Sequence, residues 1–128
     1  MNQPMPRISK RTRSLAVDGE TYLWSLGGGR PAEPGRPAPA RLVLTIRRLG
    51  ARGRVLVVFE EGPDRLIPDG WVPSGAVGTA GAWLNLHEPG TVRALLDAAL
   101  AGGWQPDDPA PEELDGWPLL APVAGRRA

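Results

Sequence analysis

The chain contains one histidine and no cysteine, so any chemistry would have to come from His87, carboxylates, hydroxyls or arginines. His87 stands beside Glu88, directly ahead of an apolar, helix-like run. A metal centre there would need carboxylates converging from elsewhere in the chain, and a general base would need an orienting carboxylate and a nucleophile. Ser9, Ser14, Ser25 and Ser74 lie in no nucleophile-elbow context. His87 therefore reads as a polar residue at a loop end. The glycines of "GAVGTAG", residues 75 to 81, lack the helix that must follow a phosphate-binding loop, and no lysine-serine or lysine-threonine pair closes them. Asp107, Asp108, Glu112, Glu113 and Asp115 are interrupted by prolines and read as a solvated acidic stretch. No catalytic residue, metal or cofactor is expected, and the chain reads as a non-enzyme.

The remaining candidates act by binding. "RRLGARGR", residues 47 to 54, sets Arg47, Arg48, Arg52 and Arg54 around a predicted hairpin tip, with Arg41 at the far end of the same strand. A basic β-ribbon of this kind can follow phosphates or lie in a nucleic-acid groove, and "RISKRTR" near the N-terminus would add an electrostatic arm. No aromatic residue interleaves with these arginines, so a stacking platform for single strands is not expected. Lys10 is the only lysine among 15 basic residues. With the abundant alanine, glycine and proline, that bias suggests a GC-rich bacterial genome and lowers the weight of an arginine count. Trp71, inside a long breaker-rich loop, reads as an exposed interface anchor or as part of a lid. A third candidate is apolar surface: Val43, Leu56 and Val58, with Thr45, fall on the sheet face opposite a single covering helix, and must find cover.

The elements that position these residues follow from patterning. "TRSLAVDGETYLWSL", residues 12 to 26, alternates apolar and polar on both sides of Asp18-Gly19, which predicts a two-residue hairpin. Val17 then faces Glu20, Leu15 faces Tyr22 and Arg13 faces Trp24, and Leu15, Val17, Tyr22, Trp24 and Leu26 share a core face. Residues 27 to 40 carry too much glycine and proline for a strand and read as a flexible connector. "RLVLTIRR" at 41 to 48 and "RVLVVFE" at 54 to 60 form a second hairpin; apolar residues on both faces place it centrally in the sheet. Residues 61 to 81 read as a long loop, and "AWLNL" at 82 to 86 as a further strand.

Pro89 suits the first position of a helix, and Val92, Leu95, Leu96, Ala99 and Leu100 repeat as one buried stripe to about Ala101. Gly102 or Gly103 can end that helix in the left-handed conformation, leaving Trp104 to fold back over Leu100. A short edge strand is expected at Trp117 to Leu120, with 123 to 128 as a frayed tail and 1 to 11 as a flexible basic N-terminus.

Val17, Gly19, Tyr22 and Trp24 form a "V-x-G-x-x-Y-x-W" hairpin, and Ala99, Gly103, Trp104 and Pro106 an "A-x-x-x-G-W-x-P" helix end. In these two motifs the chain resembles a scattered group of small uncharacterised bacterial proteins, over about half its length. Where that pattern has threonine before the helix proline, this chain has Glu88. The resemblance implies the hairpin and the late helix, and carries no activity.

The expected architecture is α+β: one domain spanning residues 1 to 128, with a mainly antiparallel sheet of four or five strands and one principal helix from the C-terminal half on one face. No run approaches membrane-spanning length and no signal-peptide core opens the chain, so a cytoplasmic location without membrane contact is expected. The functional expectation is a protein-interaction or accessory module, with an unknown protein or a second copy as partner. Nucleic-acid binding through the arginine tip is the alternative.

Overall fold

The computed structural model describes residues 12–29, 39–68 and 75–127. Strands β1 (Arg13–Val17) and β2 (Glu20–Gly29) form the first hairpin, with Asp18 and Gly19 both at positive φ, 51° and 83°. The register is the predicted one, Arg13 opposite Trp24, Leu15 opposite Tyr22 and Val17 opposite Glu20. β3 (Arg41–Arg48) pairs with β2, and β4 (Val55–Glu60) with β3, both antiparallel. β5 (Ala76–Gly78) and β6 (Trp83–Asn85) make a separate two-stranded sheet. Helix α1 (Pro89–Ala101) follows, then β7 (Glu112–Asp115) and helix α2 (Trp117–Arg127). β7 adds to β4 in parallel, so the main sheet is mixed, in the order β1-β2-β3-β4-β7.

Period-two alternation sorts the sheet into two faces. Tyr22, Trp24 and Leu26 of β2, Leu42, Leu44 and Ile46 of β3, and Val55, Val57 and Phe59 of β4 share the inner face and are buried. The same core cluster takes in Val92, Leu95, Leu96 and Ala99 of α1, then Trp104, and then Trp117, Leu120 and Val123 of α2. Both helices thus contribute their apolar stripes to this one side. Arg13 ties the hairpin to the start of α1: its guanidinium lies 5.4 Å from the Trp24 ring centroid and donates to the His87 carbonyl at 3.4 Å.

The end of α1 is a complete Schellman motif. Trp104 N–H donates to Ala99 O at 3.0 Å, Gly103 N–H to Leu100 O at 3.1 Å, and Gly103 has φ 107°. Gly103, and not Gly102, takes the left-handed position; Gly102 stays in the right-handed region at φ −81°. At the other end Pro89 begins the helix, and the Glu88 side chain makes no capping hydrogen bond.

Several expectations are corrected. Trp117 to Leu120 is not an edge strand and residues 123 to 127 are not a frayed tail: they form α2, so two helices and not one principal helix serve the core. The Asp115 carboxylate accepts from Trp117 N–H at 3.2 Å, and Pro118 falls in the first turn, where its missing N–H is not required. Trp117, Leu120 and Val123 then recur at helical spacing on the buried side. The edge strand lies just upstream, at 112 to 115.

Nor does the connector begin at residue 27. β2 continues through Gly29, because β3 supplies a full ladder of partners, Gly27 opposite Val43 and Gly29 opposite Arg41, and pairing overrides weak strand propensity. Residues 30–38 and the N-terminal segment 1–11 lie outside the described residues. The 61 to 81 segment is not simply a loop. Gly62 bridges Arg65, Leu66 bridges Gly78, and Ile67 and Val77 are buried core residues.

The cap geometry separates two costs. Nothing lies within 4 Å of a Cβ added at Gly103. Gly103→Ala should therefore lose only the conformational term, about 1–2 kcal/mol. Trp104→Ala empties a core position and should lose about 3–5 kcal/mol. Urea denaturation of the two variants measures both.

Candidate functional site

The outer face of the sheet carries Thr21, Leu23 and Ser25 of β2, Val43 and Thr45 of β3, and Leu56 and Val58 of β4. Paired register sets Thr45 beside Leu56 and Val43 beside Val58. None of the apolar residues here belongs to the core cluster or packs against it. Leu23, Val43 and Leu56 are half-buried, and Val58 is 9% exposed. The three apolar residues singled out from the sequence, Val43, Leu56 and Val58, thus do come together, on the side that neither helical stripe faces. Leu23, on β2, extends the same strip; the alternation of that strand held the signal for it.

Charge is distributed unevenly along this face. Arg47 closes it at the tip end of β3. The β3–β4 register, continued by one residue, brings Arg54 opposite it. At the other end Glu60 of β4 stands opposite Arg41 of β3, with Asp115 of β7 beside Val58, while Glu113 of β7 lies level with Leu56 in the middle of the face. Arg41 is ion-paired to Glu113 at 3.6 Å across the intervening strand. Trp117 lies just behind this end, its Nε1 donating to Glu60 O at 2.8 Å, its ring edge-on to Phe59 at 5.3 Å and the Arg65 guanidinium 5.9 Å from its centroid. Arg41, Glu60, Arg65, Glu113 and Asp115 bound an open cleft of about 320 Å³ beside it. With carboxylates and guanidiniums interleaved around its rim, the cleft has no single-signed charge to select an ion.

The arginine tip is met by acids. The Asp107 carboxylate hydrogen-bonds Arg48, and Glu20 lies 3.9 Å from the same guanidinium. The Asp107 hydrogen bond, followed by the attraction of Asp107 and Glu20, holds Arg48 above its ordinary pKa. Arg47, Arg52 and Arg54 remain exposed. The acidic stretch, expected to be solvated, is brought in part to the hairpin tip by the fold. Gly53 makes this possible, because its N–H donates to Pro106 O at 2.8 Å and a Cβ there would overlap the carbonyl oxygens of Pro106 and Asp108. Below the tip, Glu112 N–H donates to Arg54 O at 3.0 Å and starts the β7 pairing.

His87 stands in the turn between β6 and α1. Its backbone N–H donates to the Asn85 side chain at 2.9 Å, and its ring lies against Gly75, where a Cβ would collide with it. Among the described residues no group of three or more His, Cys, Asp and Glu side chains could hold a metal ion. No helix among them is long and apolar enough to cross a membrane. Trp71 lies outside the described residues. Leu66 and Trp83, which the sequence did not single out, are exposed on either side of Gly78, at 41% and 50%. No family model, curated protein or solved structure matches the chain.

The close approach at Gly53 can be tested. Gly53→Ala should push residues 106–108 off the tip, lower stability by about 1–3 kcal/mol and speed exchange of the residue 53 amide. Hydrogen exchange read by NMR reports the last effect directly; unchanged protection would show that the segment is not held there.

Proposed function

We propose that the protein is a non-enzymatic protein-interaction or accessory module of the bacterial cytoplasm, working through the outer face of its sheet. The observation that carries this reading is the strip of half-buried Leu23, Val43 and Leu56, running on to the nearly buried Val58, which neither helical stripe among the described residues covers and which charge borders at both ends. A sheet needs a layer on each apolar face, and this chain contributes both helical stripes to one of them. Covering each aliphatic side chain on the other face would add up to roughly 1.5–3 kcal/mol, less the part already buried. That is enough for a specific contact, while the strip is small enough to leave the free protein dispersed.

The arginine tip supports the alternative of nucleic-acid binding less well. Arg48 is engaged by Asp107 and Glu20, which leaves Arg47, Arg52 and Arg54 to meet phosphates beside a carboxylate that repels them.

Two measurements separate the readings. Affinity capture from native lysate should recover a specific protein with the wild type and lose it with Leu56→Lys, a change on the outer face that leaves the core cluster intact. Capture indifferent to Leu56→Lys would defeat the sheet-face reading. Fluorescence anisotropy with DNA and RNA at two salt concentrations should show no binding that alanine at Arg47, Arg52 and Arg54 removes. Salt-dependent binding lost in that variant would favour the nucleic-acid reading instead.

A further inference from the structure

The tip of the β3–β4 hairpin combines features that its turn does not require. Gly50 at φ 86° and the Ala51 N–H donating to Arg48 O at 3.0 Å close a tight turn over Leu49 and Gly50, and the Leu49 N–H donates to Thr21 O at 2.8 Å. This backbone needs the glycine and places no demand on the side chain before it. A leucine stands there, 58% exposed and outside the core cluster. Behind it Arg47 and Arg54 face each other in the continued β3–β4 register, and like charges directly opposite on paired strands oppose folding. An anion between the two guanidiniums would relieve that repulsion.

The carboxylates near the tip are turned elsewhere. Asp107 and Glu20 engage Arg48, which the alternation of β3 puts on the opposite side of the ribbon from Arg47. The Asp108 carboxylate accepts from the Ala110 N–H at 3.0 Å, and Glu113, on the same face as Arg54, pairs with Arg41. Arg47, Arg52 and Arg54 are exposed and enter no ion pair among the described residues.

We propose that this tip is a peripheral docking point for an anionic phospholipid surface. Leu49 enters the zone between headgroups and acyl chains while Arg47, Arg52 and Arg54 meet the lipid phosphates. Run length along the chain bears on crossing a bilayer; contact with its surface asks instead for cations and an apolar side chain on one projecting edge. The phosphates of a nucleic-acid backbone would use the same guanidiniums and gain nothing from the leucine, and no aromatic side chain stands among the arginines to stack on a base. The tight turn lowers the ordering cost of insertion, since its leucine is held outward before contact. With one leucine and three exposed guanidiniums the attachment is weak, reversible and salt-sensitive. It uses none of the apolar residues of the outer face, and so stands or falls separately from the sheet-face reading.

Co-sedimentation with vesicles tests it, using the full chain and phosphatidylcholine alone or with about 40% phosphatidylglycerol. Wild type is expected to bind the anionic vesicles at about 50 mM salt, to lose at least about fivefold in affinity at about 300 mM, and to ignore the neutral ones. Arg47→Ala with Arg52→Ala and Arg54→Ala should lose at least about tenfold, and thermal melts at or above wild type show that this variant folds. Leu49→Ala should lose about three- to tenfold. Leu49→Trp should gain, because tryptophan favours the headgroup level. Leu56→Lys, chosen above to remove capture of a protein, leaves vesicle binding no weaker. Absence of binding to anionic vesicles, binding unchanged in the triple arginine variant, or binding indifferent to both Leu49 changes overturns the proposal. So does displacement from the vesicles by DNA or RNA at equal phosphate concentration, with Leu49→Ala binding the nucleic acid as wild type does.

Discussion

Six side chains from two adjacent strands, Leu42, Leu44 and Ile46 of β3 and Val55, Val57 and Phe59 of β4, have no accessible surface. Every other part of the molecule is placed by the need to keep them dry. Their burial sets the register of the hairpin, since a slip of one residue would turn all six to the opposite face and bring Arg41, Arg47 and Glu60 inward. It also requires covering layers, which come from α1 through Val92, Leu95 and Leu96 and from α2 through Trp117, Leu120 and Val123. The Schellman motif at Gly103 then directs Trp104 into the same cluster. Two indole N–H groups, those of Trp24 and Trp104, are buried with no acceptor among the described residues. The core therefore holds these rings for their area and shape, and carries an unpaired donor on each.

The same alternation that seals one face leaves the other with a different composition. The outer residues of β3 and β4 are not polar in the way a solvated face of an antiparallel sheet usually is. Val43, Leu56 and Val58 occupy its middle, and the charges of these two strands are confined to their ends. The strip is short, and its residues are covered in part by their neighbours, Val43 and Leu56 by about half and Val58 almost fully.

At the tip of β3 and β4 the fold brings opposite charges together. Asp107, far from Arg48 along the chain, reaches it because Gly53 lets the 106–108 backbone lie against the turn. Exposed ion pairs of this sort contribute little to stability. Their effect here is on the field of the tip: a cluster that looks uniformly basic in sequence is mixed in space, and its attraction for a polyanion is correspondingly weaker.

Local chemistry alone determined a good part of this molecule. Asp18-Gly19 specified the first hairpin and its register, and alternation marked the inner residues of β2, β3 and β4. Pro89 and the twin glycines bounded α1, and the three apolar residues of the outer face were legible from parity. Those features depend on contacts between residues near in sequence, or on a periodicity that one strand displays by itself. Tertiary structure decided the rest. Gly27, Gly28 and Gly29 became strand only because β3 offered a ladder to pair with. Trp117 to Leu120 became helix because Asp115 caps it and Phe59 receives Trp117. The segment at 112 to 115 became a strand only by lying parallel to β4, an arrangement with no local turn to announce it. Which arginine of the tip is neutralised, and that both helices share one side of the sheet, depend on long-range packing energies that no short window of sequence expresses.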